Sequence, residues 1–417
     1  MDKSYIKPRE LIIKKFRNFK DVTMTLGNKI TVISGQNGSG KSNILSLIAS
    51  GSGVGKKAMM GSNFQPEFSE YFNIDQAEQF DKYELYLKYF DGEQLAITKK
   101  LSFKDDSSRG RGIRIIPRTS KYGFDFRTLK DTETEIKEKY GIGGAARVNI
   151  PTIYLSLSRL YPLGENTEQV TVKELGKRNA LYQENVKKQF AIWYNFLIPD
   201  SISNDTDLEM IEKKACPRTS LHMQLNDTPT LSQSVGQDNI GNIISAFIDV
   251  YLLSKMPDYK GALICIDEID VSLHPATQLK LFELMKKLAE ELSIQFVVSS
   301  HSLVFLEKSL KLESKNSNDY STIYLENRCA PYVSKQKDFY LLKADMFGDI
   351  NFLKPKTNVY FEDEVGKKIF DLLVSAFTSI AENIDSQNGT PKKMRNFNKC
   401  DYAEKNKKIS NSKQFCG

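Results

Sequence analysis

The chain has 417 residues, with 59 Lys and Arg against 52 Asp and Glu for a net charge of +7. It has room for two or three domains of roughly 100–200 residues each, which excludes a peptide or a disulfide-stapled miniprotein. Five cysteines, Cys216, Cys265, Cys329, Cys400 and Cys416, stand singly without CxxC spacing, which argues against a zinc site or secreted disulfide framework and for reduced structural thiols. Met1, Asp2 and Lys3 lead into a mixed polar stretch with no apolar signal core. No run reaches the roughly 18 apolar residues of a membrane span, so a soluble, cytoplasmic protein is expected.

In chain order, residues 10–33 read as two strands, ELIIKKFRNF and KITVISG, joined by a turn at Leu26-Gly27-Asn28. A glycine-rich loop follows, then a helix over 41–50. Alternating runs in 82–118, linked by the hairpin signal Asp91-Gly92 and the polar loop DDSSRGRG, predict an antiparallel sheet on the first lobe. After GIGG at 141–144, PTIYLSL reads as a buried strand ending near Ser158 and Arg159. Residues 165–230 turn charged and helical in period and read as a helical insertion. From 231 the pattern is α/β: helix 238–255, strand ALICID, helix 276–292, strand IQFVVSS, helix 302–309, strand TIYLE. A further strand, NVYFEDE at 358–364, precedes a helix over 365–380. Residues 381–417 hold eight Lys and Arg against four Asp and Glu and no apolar run of strand length, so a basic, disordered tail is expected. That surplus permits nucleic-acid contact through phosphate neutralisation without demanding it.

Gly35-Gln36-Asn37-Gly38-Ser39-Gly40-Lys41-Ser42 matches GxxxxGK[ST] between an apolar strand and a helix, the context in which this spacing binds phosphate. Backbone N–H groups freed by Gly35, Gly38 and Gly40 converge on phosphate oxygens, and the helix N-terminus adds a favourable dipole. Lys41 reaches the β/γ-phosphates and the Ser42 hydroxyl ligates Mg²⁺. ALICID followed by Glu268 supplies the second half: Asp267 acts on the metal through its water shell, and Glu268, one residue beyond the strand, polarises the attacking water. His301 follows IQFVVSS directly, at a strand end where α/β sheets bind ligands, and can contact the γ-phosphate. Ser234, Val235, Gly236 and Gln237 form a polar turn at a helix N-terminus that can bind an anion. His274 reads as a turn residue at the start of a helix and His222 as a surface residue.

KFRNFKDVTMTLGNKITVISGQNGSGKSNIL resembles the amino terminus of ABC-type ATPases of the RecF/SMC class. Five features match in order: this P-loop, SVGQ resembling the ABC signature, ICIDEID resembling the Walker B strand and D-loop, the following LHP, and SSHS resembling the switch histidine. DEIDVSLHP with SSHS is most similar to the OLD (overcoming lysogenization defect) family and related AAA ATPases of antiphage systems. The resemblance spans about residues 8–310. It implies an α/β, ABC-type P-loop ATPase head with a mixed-sheet lobe and a parallel-sheet lobe, filling 1–354 with the insertion at 165–230. It also implies ATP and Mg²⁺ as cofactors, and a head-to-head homodimer in which Ser234, Gly236 and Gln237 of one subunit close over nucleotide held by Gly35, Asn37, Gly38, Gly40, Lys41 and Ser42 of the other. Gln65, in NFQPEF, is its Q-loop metal contact. Arg159, in LSRLYPLGE, resembles an arginine of this family and reads equally as a salt-bridged structural arginine. SQSVGQ departs from the transporter motif LSGGQ, which disfavours a transport ATPase.

OLD proteins carry a C-terminal Toprim nuclease domain, and VYFEDEVGKKIF resembles its opening strand, with Glu362 as first acidic residue and Glu364 as a second ligand. Toprim chemistry needs a later D-x-D pair, and Asp371, Asp385 and Asp401 supply none. Residues 355–380 therefore read as a partial Toprim-like segment. The leading expectation is an ATP-hydrolysing, ABC-class sensor or clamp that engages nucleic acid in phage defence, with an effector or sensor protein encoded alongside. The alternatives are an ATP-gated Toprim nuclease and a RecF-type DNA-repair ATPase.

Overall fold

A computed structural model describes residues 5–57, 63–75, 77–124, 128–164, 167–175, 184–203, 206–216, 218–226, 228–348 and 361–388. The chain divides into two compact units, Met1–Gly348 and Asp349–Gly417. The first unit opens with β1 (Ile6–Phe16), β2 (Phe19–Thr25), β3 (Ile30–Gly35) and α1 (Lys41–Ser50), followed by β4 (Val54–Lys57), β5 (Asn63–Phe64), β6 (Glu84–Asp91), β7 (Gln94–Asp105) and β8 (Ile113–Thr119). Next come α2 (Leu129–Tyr140), β9 (Thr152–Leu155), β10 (Val170–Glu174), α3 (Glu184–Leu197), β11 (Leu208–Lys213) and β12 (Ser220–Met223). It closes with α4 (Val235–Ser254), β13 (Ala262–Ile266), α5 (Pro275–Glu291), β14 (Ile294–Ser299), α6 (Leu303–Glu313), β15 (Tyr320–Glu326), β16 (Tyr332–Val333) and α7 (Phe339–Phe347).

The fold is α/β. One sheet, ordered β16-β15-β3-β14-β13-β9, is parallel throughout except for the β15–β16 edge. Its central strands are buried on both faces, so they read as continuous apolar runs rather than alternating ones. Ile264, Ile266, Phe296 and Val298 pack into a core shared with α3, α4 and α5. Their neighbours Leu263, Cys265 and Val297 point the other way, into a core with α1 and the second sheet. That second sheet, β2-β1-β6-β7-β8, is antiparallel at every pairing. The strands expected over 82–118 are β6, β7 and β8.

Two expectations change. Residues 10–33 hold three strands rather than two, because the chain reverses at Arg17-Asn18, where Arg17 takes φ 50° and β1 pairs back onto β2. An apolar run on both sides of one polar pair hid that turn. The segment 165–230 is mixed rather than a helical insertion: among the described residues α3 is its one α-helix, beside short 3-10 turns, and β10, β11 and β12 form an antiparallel sheet. Burial of the β11 and β12 faces, including Leu208, Ile211, Leu221 and Met223, outweighs the local helical period. Helices α2 and α7 had no sequence-level expectation.

In the second unit α8 (Glu364–Asn388) covers the helix expected at 365–380 and runs eight residues further, so a helix occupies the start of the segment expected to be disordered. Val365, Ile369, Leu372, Leu373 and Phe377 form an exposed stripe along it. Of the strand expected at 358–364, residues 358–360 lie outside the described residues; Phe361, Glu362 and Asp363 take no strand, and Glu364 already belongs to the helix. Glu362 and Asp363 sit just ahead of α8, and Glu364 is its first residue.

Candidate functional site

Strand β3 delivers the chain into the glycine-rich loop at the C-terminal edge of the parallel sheet. Gly35, Gly38 and Gly40 take φ values of 141°, 79° and 90°. Gly40 is the N-cap of α1, and a Cβ there would lie 2.6 Å from the Phe19 ring, so both backbone and space demand glycine. Asn37 and Gly38 are exposed at the crest. The Lys41 ammonium donates to the carbonyls of Gly35 at 3.1 Å and Gln36 at 2.9 Å. Burial pushes Lys41 down to about 8, against the opposing pull of Glu268, Asp267 and Asp270.

Residues 225 apart then meet. The Ser42 hydroxyl donates to Asp267 Oδ1 at 3.0 Å, and Ser299 Oγ donates to the same oxygen at 2.5 Å. Ser299 Oγ also accepts the Glu268 N–H at 2.8 Å. Asp267 is buried at the end of β13, whereas Glu268 is half-buried and takes φ 45°, a strained value for a residue with a Cβ. Burial, reinforced by Asp267 and Asp270, raises the Glu268 carboxyl above its ordinary value. His301 follows β14; its N–H donates to Asp270 Oδ1 at 3.2 Å, and burial with the Lys41 charge lowers its imidazole. The structure thus brings Lys41, Ser42, Asp267, Glu268 and His301 to one sheet edge. Ser299 and Asp270 complete the group. The serines preceding His301 were the available sign of the first.

Ser234 caps α4 through a reciprocal box: its Oγ accepts the Gln237 N–H at 3.3 Å, and the Gln237 side chain accepts the Ser234 N–H at 2.9 Å. Gly236 lies against the loop after Glu268, where a Cβ would fall 2.4 Å from the Ser272 carbonyl oxygen. Ser234 and Gln237 are therefore engaged with each other, and the turn itself faces outward.

Gln65 stands apart from this group. Its amide donates to Glu67 at 3.2 Å and its stem packs on Gly53, and no contact among the described residues joins it to Ser42 or Asp267. Arg159 is fully buried and makes no salt bridge among the described residues. Nε donates to Asn239 Oδ1 at 2.8 Å, Nη1 to the Ser156 carbonyl at 2.8 Å and Nη2 to the Glu268 carbonyl at 2.9 Å. Asn239, on α4, donates in turn to the Val271 carbonyl at 2.9 Å. Arg159 so fastens the backbone of Glu268 to α4, and burial pulls its guanidinium down to about 10. The surface reading of His222 is corrected: it is buried on β12, 3.0 Å from Ser220 Oγ, beside the buried Lys213–Asp238 ion pair. His274 caps α5, its Nδ1 accepting the Ala276 N–H at 3.2 Å ahead of Pro275 at N1.

No group of three or more His, Cys, Asp or Glu able to hold a metal occurs among the described residues. The Ser42 hydroxyl and Asp267 carboxylate, hard oxygens 3.0 Å apart, fit a Mg²⁺ ion that takes its remaining oxygens from phosphate and water.

Residues 241–307 match the family model described as "AAA domain, putative AbiEii toxin, Type IV TA system". No curated protein matches the chain. Among solved structures, the SMC head domain from Thermotoga maritima is similar at 16% identity and TM-score 0.40, over 79% of this chain and 98% of that one. An SMC head bound to the C-terminal winged-helix domain of ScpA is similar at 16% identity and TM-score 0.44, over 79% and 97%. The SMC head with an extended coiled coil bound to the C-terminal domain of ScpA derived from Pyrococcus furiosus is similar at 13% identity and TM-score 0.40, over 79% and 96%. No helix among the described residues is long and apolar enough to cross a membrane.

Proposed function

We propose that the protein is a Mg²⁺-dependent ATPase of the ABC head class. The observation that carries this reading is the hydrogen bond from Ser42 to Asp267, which joins a complete phosphate loop to an acidic strand end followed by Glu268. Lys41, buried and lowered toward neutrality, is a cation whose charge a polyphosphate would restore. Ser42 and Asp267 would hold Mg²⁺, which when bound offsets β/γ-phosphate charge. Glu268, its carboxyl raised by burial and acidic neighbours, is suited to take a proton from the attacking water. His301 stands across the same edge as a γ-phosphate contact.

The outward turn of Ser234, Gly236 and Gln237 supports a head-to-head dimer closed by ATP, and the basic surplus supports action on nucleic acid by phosphate contact. A role in antiphage defence rests on the OLD-like motifs and on the toxin named in the matching family's description.

Phosphate release from ATP tests the reading. Turnover is expected with Mg²⁺ and lost with EDTA, and Lys41→Ala is expected to weaken ATP binding at least about tenfold through the lost charge-assisted bonds, with an unchanged circular dichroism spectrum. Turnover in Lys41→Ala equal to the parent's would sink the assignment.

A further inference from the structure

Arg328 belongs to none of the motifs above, yet the topology brings it to the phosphate loop. Strand β15 pairs in parallel with β3 so that Leu325 lies opposite Gly35, which places the end of β15 beside the first residue of the loop. The chain then turns on Asn327, at φ 62°, whose Oδ1 accepts the N–H groups of Cys329 at 3.1 Å and Ala330 at 3.3 Å. This side-chain-closed turn presents Arg328, which is exposed and has no carboxylate partner among the described residues.

Gln36 connects it to the site. The Gln36 carbonyl accepts the Lys41 ammonium at 2.9 Å, and its side-chain oxygen accepts Arg328 Nε at 3.2 Å. One residue thus bridges two cations. The Gln36 amide is itself fixed on α7, donating to the Asp345 carbonyl at 3.1 Å, and the Asp345 carboxylate accepts the Tyr324 hydroxyl at 2.7 Å. In a loop of this type the lysine marks the β/γ end of a bound nucleotide, so a guanidinium tethered to the same residue stands at that end.

We propose that Arg328 is a second phosphate-binding cation of the site, one that reads the terminal phosphate and so distinguishes nucleoside triphosphate from diphosphate. A guanidinium suits this role because its planar fork bonds two phosphate oxygens at once and stays charged. The proposal rests on the ATP-site reading given above, and its test separates the two.

Affinities for β,γ-imido ATP and for ADP, both with Mg²⁺, are measured by calorimetry for the parent, Arg328→Ala, Arg328→Lys and Lys41→Ala. Arg328→Ala is expected to weaken the triphosphate about tenfold and the diphosphate less than about threefold, with Arg328→Lys between parent and alanine. The retained diphosphate affinity also certifies the fold. If Lys41→Ala loses both nucleotides while Arg328→Ala binds the triphosphate like the parent, or weakens both alike, the role of Arg328 is overturned and the ATP site stands. If Lys41→Ala binds both like the parent, the site reading falls and the inference with it.

Discussion

Arg159 shows how one buried side chain fixes a neighbour's backbone. Its fork holds the Glu268 carbonyl and Asn239 together, fixing the strained backbone from which the Glu268 carboxylate projects. A lysine keeps the charge but cannot reach three acceptors in a plane. Arg159→Lys is therefore expected to lower kcat by about tenfold or more, as misplacement of a catalytic group does, while ATP affinity changes little. Steady-state kinetics beside nucleotide titration check this, and an unchanged kcat would make Arg159 a packing residue only. At this scale the sequence displayed Lys41, Ser42, Asp267 and Glu268, because each lies in a short motif that its immediate neighbours mark. It did not display Ser299, Asp270 or the partners of Arg159, whose contacts span from 31 to 109 residues. Gln65 illustrates the converse: a glutamine in a plausible place whose amide is already taken by Glu67.

Among elements, the central strands and α1, α4, α5 and α6 were legible because apolar runs, caps and breakers agree. Ser234, His274 and Ser302 each accept an N–H at the start of their helix. The sheet β10-β11-β12 was illegible because its strands are four to six residues long and are fixed by tertiary burial rather than by local pattern. That sheet carries His222, whose imidazole is pushed down to about 3, chiefly by burial and then by the Lys213 charge. The unfolded chain binds this proton below about pH 6.5 and the folded chain does not until far lower. Stability is therefore fully present above pH 6.5 and is lost as pH falls toward 3. At pH 5 the imidazole is expected to cost about 2 kcal/mol relative to pH 7.5. Urea unfolding of the parent and His222→Gln at both pH values checks this: the parent's extra loss on acidification should be absent from the variant, and equal losses would refute it.

For the whole molecule, the expected α/β organisation of the first unit is present, and its six-stranded and five-stranded sheets share a core with α1, the helix that follows the phosphate loop. The basic C-terminal residues were separable by composition alone, and the end of α8 at Asn388 marks where they can be removed with that helix retained. Deleting 389–417 takes away eight Lys and Arg against two Asp and Glu. Each phosphate contact contributes a slope of about −0.9 in log affinity against log salt on duplex DNA, so the truncated protein is expected to bind more weakly and with a flatter slope, while its ATP turnover without DNA is unchanged. A slope equal to the full-length protein's would remove these residues from the nucleic-acid proposal. The most direct test of the ATPase itself uses Glu268→Gln, which keeps the shape of the side chain and loses the base. With Mg²⁺ and ATP, size-exclusion chromatography coupled to light scattering should give a species of twice the chain mass that carries ATP, and hydrolysis should be slowed by about 10²–10⁴. A Glu268→Gln protein that hydrolyses ATP at the parent's rate, or that elutes free of nucleotide at the mass of one chain, would contradict the account.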